Sequence, residues 1–144
     1  MFLLQAAPLP TPAELLPTTD HVCGGLVTFE GRVRDHHLGR TVTALHYEAY
    51  EPLALAEGQR ILDEARARFA PVRVAAAHRH GTLALGEAAV VVVAASAHRQ
   101  EAFAACRWVI DEIKDRLPLW KREHYDDGSC AWVGCGCHRP AEAP

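Results

Sequence analysis

Short runs rich in apolar and β-branched residues recur along the chain and predict β-strands. The runs are residues 2–6, 24–33, 41–50, 72–80 and 88–95. The last of them is apolar at every position, which is typical of a strand covered on both faces. The pattern therefore predicts a β-rich chain with residues 88–95 buried.

Two longer segments place their apolar residues on one helical face. Pro52 opens a predicted helix that runs to about Phe69, and its apolar side is formed by Leu55, Ile61, Leu62, Ala65 and Phe69. A second helix is predicted after Ser96, which can cap it, with an apolar stripe of Phe103, Cys106, Ile110, Ile113 and Leu117. Pro118 must end or kink this helix, because its ring clashes with the carbonyl of Lys114.

Turn signals complete the pattern. Thr11-Pro12-Ala13-Glu14 predicts a capping box that opens a short helix. Residues 81–86 predict a turn region, and residues 119–133 predict a hairpin. The predicted fold class is α+β: a single domain with a mostly antiparallel sheet, two main helices and a C-terminal hairpin. We assign residues 1–134 to one domain and residues 135–144 to a loose Cys-containing tail.

Composition narrows the class of protein. The chain has 144 residues and a formal charge of −3, which argues against a dedicated nucleic-acid binder. It has no apolar run near the ~20 residues that a membrane span needs, and its first ten residues do not resemble a signal peptide. Five cysteines, an odd number, do not suggest a secreted disulfide framework. We therefore expect a cytoplasmic protein.

The two lysines stand out because the other 13 cationic residues are all arginine. Arginine keeps its proton in proteins, whereas a lysine amine can lose it and act as a base or nucleophile. Lys114 and Lys121 lie within eight residues of each other, with Trp120 able to cover the stem of Lys121. The segment therefore indicates amine chemistry, with chance on a solvated helix end as the alternative.

Two further segments could bind an anion. Strand alternation puts Arg32 and Arg34 on one face, where they could grip a phosphate or carboxylate. His98 and Arg99 fall in the first turn of the second helix, where backbone N–H groups also attract anions. The alternative for both segments is a set of side chains that simply face water.

The cysteines allow a third kind of site. Cys130, Cys135, Cys137 and His138 are numerous enough for tetrahedral zinc, but their spacing differs from that of the usual zinc knuckles. Cys23 and Cys106 lie in apolar surroundings and are predicted to be small core residues. We therefore expect no metal site.

Taken together, the segments resemble the catalytic (large) subunit of molybdopterin synthase. The resemblance extends from about residue 24 to residue 133, and the stretches 96–99 and 117–123 are individually distinctive. The motifs that carry it are Gly31-Arg32-Val33-Arg34-Asp35-His36-His37-Leu38-Gly39, Tyr47-Glu48-Ala49-Tyr50, His78-Arg79-His80-Gly81, Ser96-Ala97-His98-Arg99 and Lys114 through Glu123.

The resemblance implies a sulfurtransferase that converts cyclic pyranopterin monophosphate to molybdopterin. Sulfur would arrive as a thiocarboxylate on the Gly-Gly tail of a small ubiquitin-like partner subunit. The large subunit would form a homodimer with one small subunit at each end, giving a heterotetramer, and both large subunits would contribute to the pocket. No cofactor is implied, because the sulfur arrives already activated.

The resemblance also implies roles for particular residues. Lys114 and Lys121 match the two active-site lysines. The matched substrate-binding positions are Arg32, Val33, Arg34, His98, Arg99, Arg122 and Glu123. The sequence departs from the family in its Cys-rich tail and in the Asp35-His36-His37 turn, which more usually contains an amide.

Two other classes of function remain open from the sequence. One is a non-catalytic module that binds a ubiquitin-like tail or an anionic metabolite. The other is a small zinc-binding protein built around the C-terminal cysteines.

Overall fold

A computed structural model describes residues 1–18 and 21–134 of the chain. Its helices are α1 (Pro12–Leu15), α2 (Glu51–Arg68) and α3 (Arg99–Arg116). Its strands are β1 (Phe2–Gln5), β2 (Gly25–Arg32), β3 (His36–His37), β4 (Arg40–Ala49), β5 (Val72–Arg79), β6 (Gly81–Ala84), β7 (Ala88–Ser96), β8 (Leu119–Tyr125) and β9 (Cys130–Val133). The predicted α+β class is confirmed.

The first sheet has the strand order β1-β5-β7-β2, with β1 parallel to β5 and the other neighbours antiparallel. Helices α2 and α3 cover one face, where Ile61 and Val109 belong to the same buried core as Val92. Leu15 of α1 packs on the other face against Val91 and Val93. Strand β7 is therefore covered on both faces, as its continuous apolar run predicted.

The second sheet is built around β4, which pairs with β8 through residues 42–49 and with β6 through residues 44–47. Strand β9 extends the sheet beyond β8, and the short β3 pairs with the start of β4. A smaller core that includes Val42, Leu45 and Leu83 lies on this sheet. The predicted C-terminal hairpin is β8 and β9, with Gly128 at a positive φ of 79°.

Two element assignments from sequence were wrong. Residues 81–84, predicted as part of a turn, form β6, because four residues are too short to give a spacing signal and the pairing with β4 stabilises them. Ser96 does not cap α3; its hydroxyl donates to the carbonyl of Pro71, and the N-cap residue is His98. The capping box at Thr11 and the end of α3 before Pro118 are confirmed.

Two residues of the predicted apolar helix faces are exposed. Leu55 of α2 is 42% exposed and Phe103 of α3 is 62% exposed, whereas Ile61 and Ile113 are buried as predicted. No helix in the described ranges has both the length and the apolar character needed to cross a bilayer.

Candidate functional site

A cavity of about 450 Å³ lies where the last turn of α3 and the ends of β2 and β5 meet the second sheet. Its described lining brings together four cationic side chains: Arg32, Arg34, Lys114 and Lys121. Glu123 is the carboxylate that lines the cavity beside them. A concave site with this excess of positive charge favours a small anionic ligand.

The two lysines reach this cavity from different elements. Lys114 lies in the last turn of α3, and the helix ends before Pro118, so the chain turns directly into β8. Strand alternation then directs Lys121 and Glu123 to the same face of β8. The sequence predicted that the two lysines act in one site. In the structure both line this cavity, Lys114 from α3 and Lys121 from β8.

The lysine amines have different surroundings. The Lys114 Nζ atom lies 5.9 Å from the centre of the Phe29 ring, and within the described residues it has no carboxylate partner. The Lys121 Nζ atom lies 3.1 Å from Glu123 Oε1. Lys121 is therefore anchored by an ion pair, whereas the amine of Lys114 is left for a ligand.

The buried carboxyl of Glu123 also accepts hydrogen bonds from His37 and Tyr125. Burial alone would raise the pKa of this carboxyl, but the hydrogen bonds from Lys121, His37 and Tyr125 outweigh burial and hold the pKa below its usual value. Glu123 is therefore ionised at neutral pH, and its charge balances that of Lys121.

Arg32, at the end of β2, and Arg34, two residues further on, are exposed and both line the cavity. The strand pattern predicted that these two side chains share a face. Arg32 is already paired with Glu30, at 2.6 Å between Nη2 and Oε2. Val33, which the family resemblance placed among the substrate-binding positions, is 4% exposed and packs in the smaller core. Its side chain points away from those of its two arginine neighbours, as alternation requires.

His78 is a cavity residue that we did not predict from the sequence. It lies at the end of β5, its Nδ1 atom is 2.8 Å from the Arg79 carbonyl oxygen, and its ring centre is 5.1 Å from that of Tyr47. Burial lowers the pKa of His78 from 6.5 to about 4. The cavity therefore contains a neutral imidazole among its cationic side chains. Two signals could have identified it: the His78-Arg79-His80-Gly81 motif of the family resemblance, and a histidine that follows the apolar residues 74–77.

Besides Val33, three matched positions lie outside the cavity of this chain. His98 and Arg99 are exposed at the other end of α3, 15 residues from Lys114, which is about 22 Å along a helix axis. Arg122 falls on the opposite face of β8 from its neighbours, with its guanidinium carbon 5.2 Å from the centre of the Trp132 ring. Trp120 is on that face too and is 54% exposed, and it lines a second cavity together with Lys121.

The cysteines divide into three groups. Cys106 is buried, as predicted, and burial raises the pKa of its thiol to about 11. Cys23 is half-buried and Cys130 is exposed. Cys135, Cys137 and His138 lie outside the described residues. Among residues 1–18 and 21–134, no three His, Cys, Asp or Glu side chains are grouped to hold a metal ion.

A family model and curated relatives assign the chain to the same family. A family model described as MoaE protein matches residues 4–116. The molybdopterin synthase catalytic subunit of Pyrococcus abyssi is 47% identical over 119 residues, which covers 83% of this chain and 80% of that protein.

Solved structures agree with this assignment. The molybdopterin synthase of Staphylococcus aureus superposes with a TM-score of 0.86 at 32% identity, over 92% of this chain and 96% of that one. A complex of subunits 1 and 2 of molybdopterin-converting factor from Helicobacter pylori shares the fold, with a TM-score of 0.68 at 20% identity over 92% and 88% of the two chains. The chain therefore belongs to the MoaE protein family, the family of the molybdopterin synthase catalytic subunits that its motifs resemble.

Proposed function

We propose that this chain is the catalytic subunit of a molybdopterin synthase, an enzyme of molybdenum cofactor biosynthesis. It would transfer sulfur to cyclic pyranopterin monophosphate from the C-terminal thiocarboxylate of a small ubiquitin-like partner, in the cytoplasm. The observation that carries the proposal is the convergence of Lys114 and Lys121, the only two lysines of the chain, on one cavity that Arg32 and Arg34 also line.

The cavity suits an anionic substrate and a negatively charged tail. Guanidinium groups bind phosphate through two parallel hydrogen bonds, so we assign the pterin phosphate to Arg34 and Arg32. Binding there would require Arg32 to share its contact with Glu30 or give it up. Arg34 is therefore the better-placed anchor of the two.

Lys114 is assigned to the reacting end of the partner's tail. The sulfur is released when water adds to the acyl carbon of the tail, and negative charge then develops on the terminal carbonyl oxygen. Collapse of this intermediate breaks the bond between carbon and sulfur and leaves the sulfur on the pterin and the tail as a carboxylate. A cationic amine without a carboxylate partner can donate a hydrogen bond to that oxygen and stabilise the transition state. Lys121, held by Glu123 at 3.1 Å, is assigned to a fixed position beside the pterin.

His98 and Arg99 can contribute to such a site only from a second copy of the chain. Along α3 they lie about 22 Å from Lys114, too far for side chains of one protomer to share a small ligand. We therefore propose a homodimer in which each chain supplies its helix start to the cavity of the other. The small sulfur-carrier subunits would bind at the two ends and complete a heterotetramer.

The proposal is tested by reconstitution. The purified chain is mixed with cyclic pyranopterin monophosphate and a partner carrying a C-terminal thiocarboxylate, and the dithiolene product is measured. We expect product with the thiocarboxylated partner and none with the same partner ending in an ordinary carboxylate. Tight binding of the partner's tail without product would instead support the non-catalytic binding module.

A further inference from the structure

The carboxylate of Glu123 has two oxygens that serve different neighbours. Oε2 lies 2.9 Å from His37 Nδ1 and 3.0 Å from the Tyr125 hydroxyl oxygen. Oε1 faces the Lys121 amine. The residue is only 2% exposed, so water cannot replace a lost donor easily. The orientation of this carboxylate is therefore fixed by protein donors on one side and directed at a lysine on the other.

His37 reaches Glu123 from a distant part of the chain. It lies on the two-residue strand β3, opposite Arg40 of β4, and the connecting turn at Leu38 and Gly39 has positive φ angles of 48° and 76°. A leucine in the left-handed region is unfavourable by about 1–3 kcal/mol, so the surrounding contacts must hold this turn in place. The turn places His37 Nδ1 within hydrogen-bond distance of Glu123, which lies 86 residues further along the chain.

The ionised carboxylate of Glu123 determines which groups donate hydrogen bonds to it. An ionised carboxylate only accepts, so His37 Nδ1 must carry a hydrogen and the Tyr125 hydroxyl must donate. Two donors on Oε2 prevent the carboxylate from rotating, because rotation would leave both donors unpaired beside a buried group. Oε1 then stays directed at Lys121.

We propose that His37 is a positioning residue for Lys121, acting through Glu123, with Tyr125 as the second support of the same carboxylate. The kinetic consequence rests on the function proposed above, in which Lys121 acts beside the pterin. Lys114 has no carboxylate anchor among the described residues, so the effect of His37 is confined to one of the two lysines.

Three variants test the kinetic consequence. His37→Leu removes the donor, His37→Asn keeps an N–H donor at the position of Nδ1, and His46→Leu makes the same exchange at a histidine outside the cavity, whose Nδ1 contacts Thr82. We expect His37→Leu to lower kcat about tenfold, since a small misplacement of a reacting group is costly. The kcat of His37→Asn should stay within about threefold of the parent value, and the kcat of His46→Leu should equal the parent value.

A double-mutant cycle separates positioning from general damage to the fold. If His37 acts through Lys121, then His37→Leu has no further effect on kcat in a chain that already carries Lys121→Ala. Losses that multiply in the double variant would overturn the proposal. An equal loss in His37→Asn and His37→Leu would overturn it too, because the donor would then be irrelevant.

A spectroscopic readout does not depend on activity. The chain has two lysines, so reductive methylation with ¹³C gives two lysine side-chain signals, which Lys114→Arg and Lys121→Arg assign. We expect His37→Leu to move the Lys121 signal and leave the Lys114 signal in place, with His37→Asn close to the parent. An unmoved Lys121 signal would refute the positioning role. If the parent forms no product, the proposed function fails and this measurement still decides the role of His37.

Discussion

At the scale of single residues, packing decides which groups in and near the site carry charge. His78 donates its Nδ1 hydrogen to the Arg79 carbonyl, because a carbonyl oxygen can only accept. Its Nε2 atom therefore carries the lone pair at neutral pH. The buried imidazole is an uncharged acceptor in a cavity where the arginines and lysines are donors.

The stability of the protein should therefore fall as the pH is lowered through the range between 6.5 and 4. The unfolded His78 takes up a proton near 6.5, whereas the folded residue does so near a pKa of about 4, so protons favour unfolding in this window. We expect His78 to account for about 2 kcal/mol of lost stability between pH 7 and pH 5.

Urea unfolding of the parent and of His78→Gln at both pH values measures this contribution. The variant should be less stable at pH 7 and should lose less stability on acidification than the parent does. Parallel pH dependences in the two proteins would show that His78 is not the group responsible.

Cysteine reactivity should follow burial. The Cys106 thiol is buried, with its Sγ atom 3.9 Å from the Val92 carbonyl oxygen and its pKa raised to about 11, so little thiolate forms. Cys130 is exposed. We expect maleimide at pH 8 to label Cys130 and leave Cys106 unmodified in the folded protein, as measured by peptide mapping. Equal labelling of the two cysteines without denaturant would contradict this packing.

At the scale of elements, β8 explains why a contiguous motif does not form a contiguous site. Residues 121 and 123 point into the cavity, while Arg122 between them points to the other sheet face. The same alternation separates Val33 from its arginine neighbours. Matching a run of residues to a family identifies the strand, but the two-residue period decides which of its side chains reach a ligand.

The apolar face of α2 gives a matched test of burial. Ile61 is fully buried and Leu55 is 42% exposed, although both were predicted on the same side. We expect Ile61→Ala to lower the free energy of unfolding by about 2–5 kcal/mol. Leu55→Ala should change it by less than about 1 kcal/mol. Thermal and urea unfolding measure both, and similar losses would mean that Leu55 is buried in solution.

The sequence predicted an element correctly where one local signal decided the outcome. The apolar run of β7, the stop at Pro118 and the capping box at Thr11 each depend on local chemistry, and each was predicted. The pairing of β6 with β4 and the contact between His37 and Glu123 join distant segments, so no local pattern encodes them. The convergence of the two lysines also needed the fold, because a helix end and a strand place them in one cavity.

At the scale of the whole molecule, the site proposed here is incomplete in one chain. Lys114 and the pair His98 and Arg99 lie at opposite ends of α3. If a homodimer brings them together, a chain with Lys114→Arg and a chain with Arg99→Ala should complement each other. Each mixed dimer would contain one site with both residues intact.

Mixing the two inactive chains after reversible dissociation tests this arrangement. Random re-association makes about half of the dimers mixed, with one intact site each, so product formation should recover to about a quarter of the parent rate. Either variant re-associated alone is the control. No recovery in the mixture would place all three residues in one protomer's site, and full activity of Arg99→Ala alone would exclude Arg99 from the site.

The central claim is that sulfur transfer needs a hydrogen bond from the compact Lys114 amine to the terminal carbonyl oxygen of the partner's tail. A guanidinium has the same charge but a larger, planar shape, so it would place its donors elsewhere. The most direct measurement is the rate of dithiolene formation by Lys114→Arg with saturating pterin and thiocarboxylated partner. The control is Arg107→Lys, the reverse exchange at an exposed position two turns earlier on α3. We predict a loss of at least ~100-fold for Lys114→Arg, with folding and partner binding retained, and no loss for Arg107→Lys. Turnover near that of the parent in Lys114→Arg would contradict the account.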